Sequence, residues 1–163
     1  MLVGVVSDTH DNAQYVEAAV DVFERAEVDA VVHCGDIVAP FSVTPFDGDW
    51  AFHAVRGNND GEWALADAVD GFGTHHGEFA ELCFDGASFA VYHGTGEPIV
   101  DALVECGSYD YVLRGHTHER VHAERDGTVH LNPGGVPIPG REQSPAAMIL
   151  DTATADVTVH ELR

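Results

Sequence analysis

The stretch LVGVVSDTHDNAQYVEAAVDVF, residues 2–23, sets the fold class. Its first five residues form a continuous apolar run, which is typical of a buried strand. From residue 11 to residue 28 the apolar side chains recur at helical spacing, and Asp11 with Gln14 predicts a capping box at the start of that helix. A buried strand followed directly by a helix is the repeating unit of α/β folds, so the sequence predicts an α/β protein.

The alternation of strand and helix continues along the chain and gives way to strands in its last third. The further predicted elements are strands at 29–34 and 50–55, a helix at 62–69, a hairpin at 81–93 with an Asp85-Gly86 turn, a helix at 97–107, a strand at 109–115, and antiparallel strands within 119–133 and 146–162. This order favours layered mixed sheets. The length of 163 residues fits a single domain spanning 1–163.

The charge balance is extreme, with 28 acidic residues against 7 basic ones and a net charge of −21. Every basic residue is arginine. This composition favours the salt-rich cytoplasm of a halophile, although an ordinary acidic cytosolic protein is the alternative. We expect no non-specific binding to nucleic acid, because a basic patch is missing. No apolar run is long enough for a membrane span, and three widely spaced cysteines suit a reducing cytoplasm.

Polar side chains that bind metals follow five of the predicted strands. They are Asp8, His10, Asp36, Asn58, His93, His116 and His118. The carboxyl ends of strands in open α/β sheets face one rim, where ligands bind. Seven donors exceed the needs of a tetrahedral zinc ion but match two six-coordinate ions that share a carboxylate and bind water. The sequence therefore predicts a centre with two metal ions.

The segment GHTH, residues 115–118, places two histidines two residues apart. In an extended segment such residues point the same way with Cα atoms about 6.5 Å apart, whereas paired catalytic metals lie about 3.5 to 4 Å apart. The motif can therefore give one histidine to each metal. Spacing alone does not decide this, because Asp8 and His10 have the same spacing and we assign both to one ion.

Taken together and in order, these motifs identify a resemblance to a known family. The motifs are DTH (8–10), GD (35–36), GN (57–58), YHG (92–94) and GHTH (115–118). The chain resembles the calcineurin-like metallophosphoesterases over essentially its full length, and the small size and the segment NPGG at 132–135 make it most similar to their compact YfcE-type phosphodiesterases. The resemblance implies a four-layer α/β sandwich of two mixed β-sheets flanked by helices. It also implies two divalent metal ions, most often Mn²⁺, with Ni²⁺, Fe²⁺ or Zn²⁺ as alternatives.

The resemblance further implies which residue does what. One ion would be bound by Asp8, His10, Asp36 and His118, and the other by Asp36 as the bridge with Asn58, His93 and His116. The expected catalytic residues are Asp36, Asn58, Asn59 and His93. The larger phosphomonoesterases of the family have a histidine, thought to protonate the leaving group, where this chain has Asn59. An amide cannot be a general acid, so Asn59 favours diesters over monoesters with poor leaving groups.

The expected reaction is hydrolysis of a small phosphate ester by a hydroxide that bridges the metals. Candidates for the missing general acid are His75 and His76, and candidates for a phosphate clamp are Arg56, Arg114 and Arg141. Asp60 is expected to orient a ligand histidine.

Several alternatives stay open. They are a phosphomonoesterase, a cyclic-nucleotide phosphodiesterase, a metal-binding sensor without turnover, and a protein scaffold similar to the retromer subunit of this fold. Related small members are often dimers or tetramers, so a homo-oligomer is also an expectation. The remaining histidines in strand-like runs are interpreted as packed side chains; they are His33, His53, His122, His130 and His160.

Overall fold

The computed structural model, which describes residues 1–61, 63–140 and 143–163, contains two mixed β-sheets. The first sheet has the strand order Asp156–Glu161 (β11), Ala146–Asp151 (β10), Leu2–Val6 (β1), Ala30–His33 (β2), Ala51–Ala54 (β3) and Thr74–His75 (β4). The second has the order Phe79–Phe84 (β5), Ala87–Tyr92 (β6), Tyr111–Leu113 (β7), Thr128–Asn132 (β9) and Val121–Arg125 (β8). Between the strands lie the helices Ala13–Ala26 (α1), Pro40–Val43 (α2), Trp63–Asp70 (α3) and Glu97–Glu105 (α4), with a 3₁₀ turn at Thr44–Phe46.

Both sheets combine parallel and antiparallel pairs. In the first sheet, β1 runs parallel to β2 and antiparallel to β10, with Leu2 opposite Asp151. In the second, β6, β7 and β9 run parallel, while β5 and β8 form antiparallel edges. The predicted class of two mixed sheets is confirmed.

Alternating side chains on the strands separate the core into layers. Val3 and Val5 of β1 belong to the apolar cluster between the two sheets, together with Phe89 of β6. The opposite face of β1 lies under α1, so closely that a Cβ at Gly4 would stand 2.6 Å from the ring of Phe23. On the outer face of the second sheet, Ala90 packs with α4. Because successive strand residues point to opposite faces, this pattern gives helix, sheet, sheet and helix layers.

The start of the first helix differs from the predicted capping box. The N-cap is Asn12, whose side-chain oxygen accepts a hydrogen bond from the backbone N–H of Tyr15 at 3.2 Å. The carboxylate of Asp11 instead accepts hydrogen bonds from the backbone N–H of Ala39 and the hydroxyl of Ser42. The capping-box prediction was wrong because Asp11 joins this loop to the one that follows β2, a tertiary contact that local spacing does not encode.

None of the helices in the described part of the chain combines the length and the apolar composition needed to cross a membrane.

Candidate metal centre

The loops after β1, β2, β3, β6 and β7 bring all seven predicted donors to one rim that both sheets share. The Nε2 atoms of His10 and His118 lie 3.3 Å apart. Asn58 Oδ1 lies 3.1 Å from His93 Nε2 and 2.9 Å from His116 Nδ1. The predicted donors therefore form one continuous cluster, and each comes from the carboxyl end of a strand.

Asp8 is fully buried at the base of this cluster. Its carboxylate accepts a hydrogen bond from the Ser7 hydroxyl at 2.5 Å and from the backbone N–H of His116 at 3.0 Å. Burial raises the pKa of Asp8 above its ordinary value, and the Ser7 hydrogen bond only partly opposes this shift. An ionised Asp8 is therefore stabilised by any cation that binds beside it.

Asp36 occupies the middle of the cluster. Its Oδ2 atom lies 3.4 Å from Nε2 of His10 and 3.4 Å from Nε2 of His93. The backbone N–H and the side-chain amide of Asn59 donate to its two oxygens at 2.8 and 2.7 Å. Burial opposes ionisation, but the His93 ring in its protonated form and the hydrogen bonds from Asn59 outweigh it and hold the pKa of Asp36 well below its usual range.

Two histidines have their outer ring nitrogen fixed by a backbone carbonyl. Nδ1 of His93 donates to the Cys34 carbonyl, and Nδ1 of His118 donates to the Val136 carbonyl, each at 2.8 Å. A carbonyl can only accept, so the neutral rings carry a lone pair on Nε2. These lone pairs face carboxylates, because His118 Nε2 lies 3.4 Å from Asp8 Oδ1.

Such an arrangement of acceptors needs positive charge between them. Burial lowers the pKa of His93, but the hydrogen bond to Asp36 and the charges of Asp8 and Asp36 raise it more, so the net shift is upward. The two carboxylates thus favour a positive charge at this position, either a proton on the ring or a bound cation. Imidazole nitrogens fixed by an outer hydrogen bond, next to carboxylate and amide oxygens, fit divalent metal ions.

Two groups of side chains could each hold one ion, with donor atoms within 4.8 Å of one another. They are Asp8, His10 and His118, and Asp8, Asp36 and His93. Asp8 is common to both groups. Asp36 was the bridge expected from the sequence, and its Oδ2 atom lies 3.4 Å from Nε2 of both His10 and His93. Asp8 and Asp36 therefore each lie near histidines of both groups.

The backbone of the donor loops is strained rather than extended. Five donors have left-handed φ angles between 44° and 67°: Asp8, His10, Asp36, His116 and His118. The expectation that GHTH is an extended segment was wrong. A non-glycine residue in this region costs about 1 to 3 kcal/mol and persists where the surrounding structure holds it, often at functional sites.

Two glycines allow the donor loops to approach each other closely. A Cβ at Gly115 would stand 1.8 Å from Ser7 Oγ and 2.3 Å from Asp8 Oδ2. A Cβ at Gly57 would stand 2.1 Å from the backbone nitrogen and from Oδ1 of Asp36. A side chain at either position would therefore require Ser7 and Asp8, or Asp36, to move.

Among the described residues, Asp60 is hydrogen-bonded to backbone groups and to no histidine, which corrects the expectation from the sequence. Its carboxylate accepts three backbone hydrogen bonds, from Gly57 at 2.6 Å, Val38 at 2.7 Å and Asp36 at 3.1 Å. It therefore fixes the loop after β2 against the loop after β3. Charged acceptors of backbone N–H groups make strong hydrogen bonds, so Asp60 positions both donor loops at once.

Asn132 and His33 support the site in ways that sequence reasoning missed. The Asn132 amide donates to the Gly115 carbonyl at 2.9 Å and to the Thr117 hydroxyl at 3.1 Å.

His33 is fully buried. Its Nδ1 accepts a hydrogen bond from the backbone N–H of Gly35, so its Nε2 donates to the Thr9 hydroxyl at 3.1 Å. Burial lowers the pKa of His33 to about 3, so the ring stays neutral. The one sequence signal for a supporting role of His33 was its position three residues before the predicted donor Asp36.

The predicted general acids lie outside the donor cluster. His75 is part of β4, and its Nδ1 accepts a hydrogen bond from the backbone N–H of Gly77. Nε2 of His76 is hydrogen-bonded to Nδ1 of His53, at 3.0 Å. Neither imidazole contacts a predicted donor through a hydrogen bond in the described part of the chain.

The three candidate arginines differ in their surroundings. Arg114 is buried and donates to both carboxylate oxygens of Glu97, at 2.9 and 3.0 Å, so it is already paired. Arg56 is half exposed and lies 3.7 Å from Glu78. Arg141 lies outside the described residues.

The comparisons with known proteins agree with this geometry. Residues 1–155 match the calcineurin-like phosphoesterase superfamily domain. A phosphodiesterase of Methanocaldococcus jannaschii is 35% identical over 138 residues, which cover 82% of this chain and 83% of the relative. A solved structure of an archaeal phosphodiesterase has a TM-score of 0.92 and 32% identity, covering 99% of this chain and 100% of that one.

A more distant structure, the phosphoesterase YfcE of E. coli, shares the fold with a TM-score of 0.73 and 19% identity, with full coverage of both chains. The family match spans nearly all of the described strands and every predicted donor. The chain therefore belongs to the calcineurin-like phosphoesterase superfamily and is a metallophosphoesterase.

Proposed function

We propose that the protein hydrolyses phosphodiesters with the help of two divalent cations, with Mn²⁺ as the first choice. The observation that carries the proposal is the set of histidine lone pairs directed at Asp8 and Asp36, which a pair of cations would satisfy. The similarity to a phosphodiesterase of M. jannaschii and to an archaeal phosphodiesterase of known structure supports the reaction class.

One ion would be held by Asp8, His10 and His118, and the other by Asn58, His93 and His116, with Asp36 between them. When bound, two such cations supply a hydroxide nucleophile at neutral pH and offset the negative charge that develops on the phosphate. The protein keeps the donors in place before substrate arrives, because backbone carbonyls fix the rings and Asn59 fixes Asp36.

Asn59 acts in this proposal as a positioning residue. Its backbone N–H and its side-chain amide both donate to Asp36, and an amide has no proton to give at neutral pH. A leaving group that needs protonation would therefore depart slowly. This favours esters of acidic alcohols such as nitrophenol.

The charge of the site favours diesters over monoesters. Two divalent cations, two ionised aspartates and one hydroxide leave a single positive charge. A diester monoanion neutralises that charge, whereas a monoester dianion exceeds it. The protein as a whole carries a net charge of −21, which adds to the repulsion of dianions at low salt.

The test compares two chromogenic esters on protein stripped with a chelator, in molar KCl, before and after addition of manganese. We expect turnover only after metal is added, and faster turnover of bis(p-nitrophenyl) phosphate than of p-nitrophenyl phosphate. The exposed carboxylate of Asp49 offers a matched control, and Asp49→Asn should behave as wild type. Metal uptake without turnover of either ester would contradict the enzymatic proposal and favour a sensor or a scaffold.

Titration calorimetry of the stripped protein tests the number of ions separately. We expect two manganese ions for each chain, and Asp36→Asn should weaken the binding of both. A stoichiometry of one would contradict the paired centre even if the diester is hydrolysed.

A further inference from the structure

A cleft leads away from the metal centre between the loop after β3 and the loop after β6. Its inner part, about 250 Å³, is lined by Asn58, Thr95, Arg56 and Glu78. Asn58 is also a predicted metal donor, 2.9 Å from His116. The cleft therefore begins at the metal centre itself.

The outer part of the same cleft is larger and more apolar. It has a volume of about 550 Å³ and adjoins the inner part at Arg56 and Glu78, which line both. Trp63 and Ala66 form part of its wall. Ligand pockets are typically about 300 to 1,000 Å³ and mostly apolar with a few polar groups, and the outer cleft fits this description.

Trp63 does not belong to any apolar core cluster of the described residues. Its side chain is 73% exposed, while Leu65 and Val69 on the opposite face of α3 are buried. Trp63 and Ala66 are three residues apart, so they share the helix face that borders the cleft. An exposed indole beside a small side chain offers a flat surface on which an aromatic ring can stack.

Arg56 stands where the two parts of the cleft meet. Its guanidinium is 48% exposed and lies 3.7 Å from Glu78, longer than a hydrogen bond. Besides this ion pair with Glu78, the exposed part of the guanidinium can contact an anion that bridges the inner and outer parts. A ligand with a phosphate near Asn58 and a ring near Trp63 would pass this cation.

We propose that this cleft is the subsite for an aromatic group of the ester, such as a nucleobase or an aryl ring, and that Trp63 determines the specificity for it. The inference rests on the proposed phosphodiesterase function and adds the class of substrate. Stacking on an aromatic side chain accepts any ring with a π-face, so the subsite selects aromatic over alkyl esters without reading one particular ring.

The test uses two ligands that have no ester bond to hydrolyse, methyl(phenyl)phosphinate and dimethylphosphinate. Both are monoanions with P–C bonds, so their contacts with the metals are matched and only the ring differs. Titration calorimetry into manganese-loaded protein in molar KCl gives the ratio of their dissociation constants. We expect the phenyl ligand to bind about tenfold more tightly to wild type, and Trp63→Ala to reduce this preference to about one.

Two further variants separate stacking from general damage. Trp63→Phe should keep most of the preference because a ring remains. Phe41→Ala removes another exposed aromatic side chain, which lies on α2 and does not line the cleft, and should leave the preference unchanged. A preference that survives in Trp63→Ala would overturn the inference.

The same proteins separate this inference from the proposed function. If wild type fails to hydrolyse bis(p-nitrophenyl) phosphate but shows a ring preference that depends on Trp63, the proposed function is wrong and the subsite stands. If wild type hydrolyses the diester and Trp63→Ala binds and hydrolyses it equally well, the function stands and the subsite is wrong.

Discussion

Adding one methyl group at Gly115 should disable the metal centre. The new Cβ in Gly115→Ala would stand 1.8 Å from Ser7 Oγ and 2.3 Å from Asp8 Oδ2. Normal contact begins near 3.5 Å, so the atoms must separate by about 1.5 Å. The loop cannot simply retreat, because Gly115 N–H donates to the His93 carbonyl and the Gly115 carbonyl accepts from Asn132, each at 2.9 Å.

The displacement falls on Ser7 and on its hydrogen-bond partner Asp8, which is common to both candidate cation groups. A shift of about 1 Å in a catalytic group can cost about 100-fold in rate, which corresponds to about 2.7 kcal/mol of barrier. We therefore expect kcat/KM for bis(p-nitrophenyl) phosphate to fall by about 100-fold or more in manganese buffer. Calorimetry should show weaker manganese binding in the same variant.

Gly71→Ala is the matched control for this prediction. Gly71 has an ordinary φ angle, lies outside the cluster, and its added Cβ would stand 3.2 Å from the nearest atom, the Ala68 carbonyl oxygen. It should retain kcat/KM within about twofold, since substitutions away from special features usually cost less than about 0.5 kcal/mol. If Gly115→Ala also kept wild-type kcat/KM and wild-type manganese affinity, the packing argument for the site would be refuted.

Three other changes test separate parts of the structure. Asp36→Asn should remain folded by circular dichroism yet lose more than about 100-fold in turnover, because outer hydrogen-bond partners of metal ligands alone account for about 10- to 100-fold. Turnover of the diester should rise from dilute buffer to molar KCl, since salt screens the net charge of −21 that repels anionic substrate. In metal-free protein, the stability difference between wild type and His33→Gln should shrink by about 1.4 kcal/mol per pH unit below about pH 6 in urea unfolding.

The sign of the His33 effect follows from its lowered pKa, about 3 when folded against 6.5 when free. Between these values the unfolded chain binds the proton and the folded chain does not, so acid favours unfolding in that window. A stability difference that is independent of pH would show that His33 is protonated in the fold. A fall in turnover at molar KCl would contradict the argument that salt screens the repulsion of substrate. Near-normal activity in Asp36→Asn would contradict the role proposed for Asp36.

The strands and the clustering of the predicted donors could be predicted because both have strong local signals. The apolar run LVGVV became β1 with the expected limits, Leu2–Val6. The donors follow apolar runs directly, and parallel strands bring such positions to one edge whatever the details of the loops. That is why the predicted donors fall into one cluster although they are spread over more than a hundred residues.

The supporting contacts could not be predicted, because they join loops that are distant in sequence. Asp60 lies two residues after Asn58 in sequence, but its carboxylate accepts hydrogen bonds from the backbone of the loop that holds Asp36. The sequence predicts only that His33 is a packed residue of a strand, and its hydrogen bond to Thr9 is visible only in the structure. The short elements α2 and β4 were missed for a related reason, since four and two residues are too few to show a period.

The pairing of β1 with β10 has a consequence for how the protein is made. The strand that precedes Asp8, β1, is paired with β2 on one side. On the other side it pairs with β10, which can reach Leu2 only when Asp151 has been synthesised. Contacts between residues so distant along the chain form slowly. The chain between them loses conformational entropy before the strand pairing contributes favourable free energy. A ribosome-bound chain that ends before β10 therefore has an incomplete central sheet, and we expect Asp8 to reach its final position only after β10 leaves the ribosome.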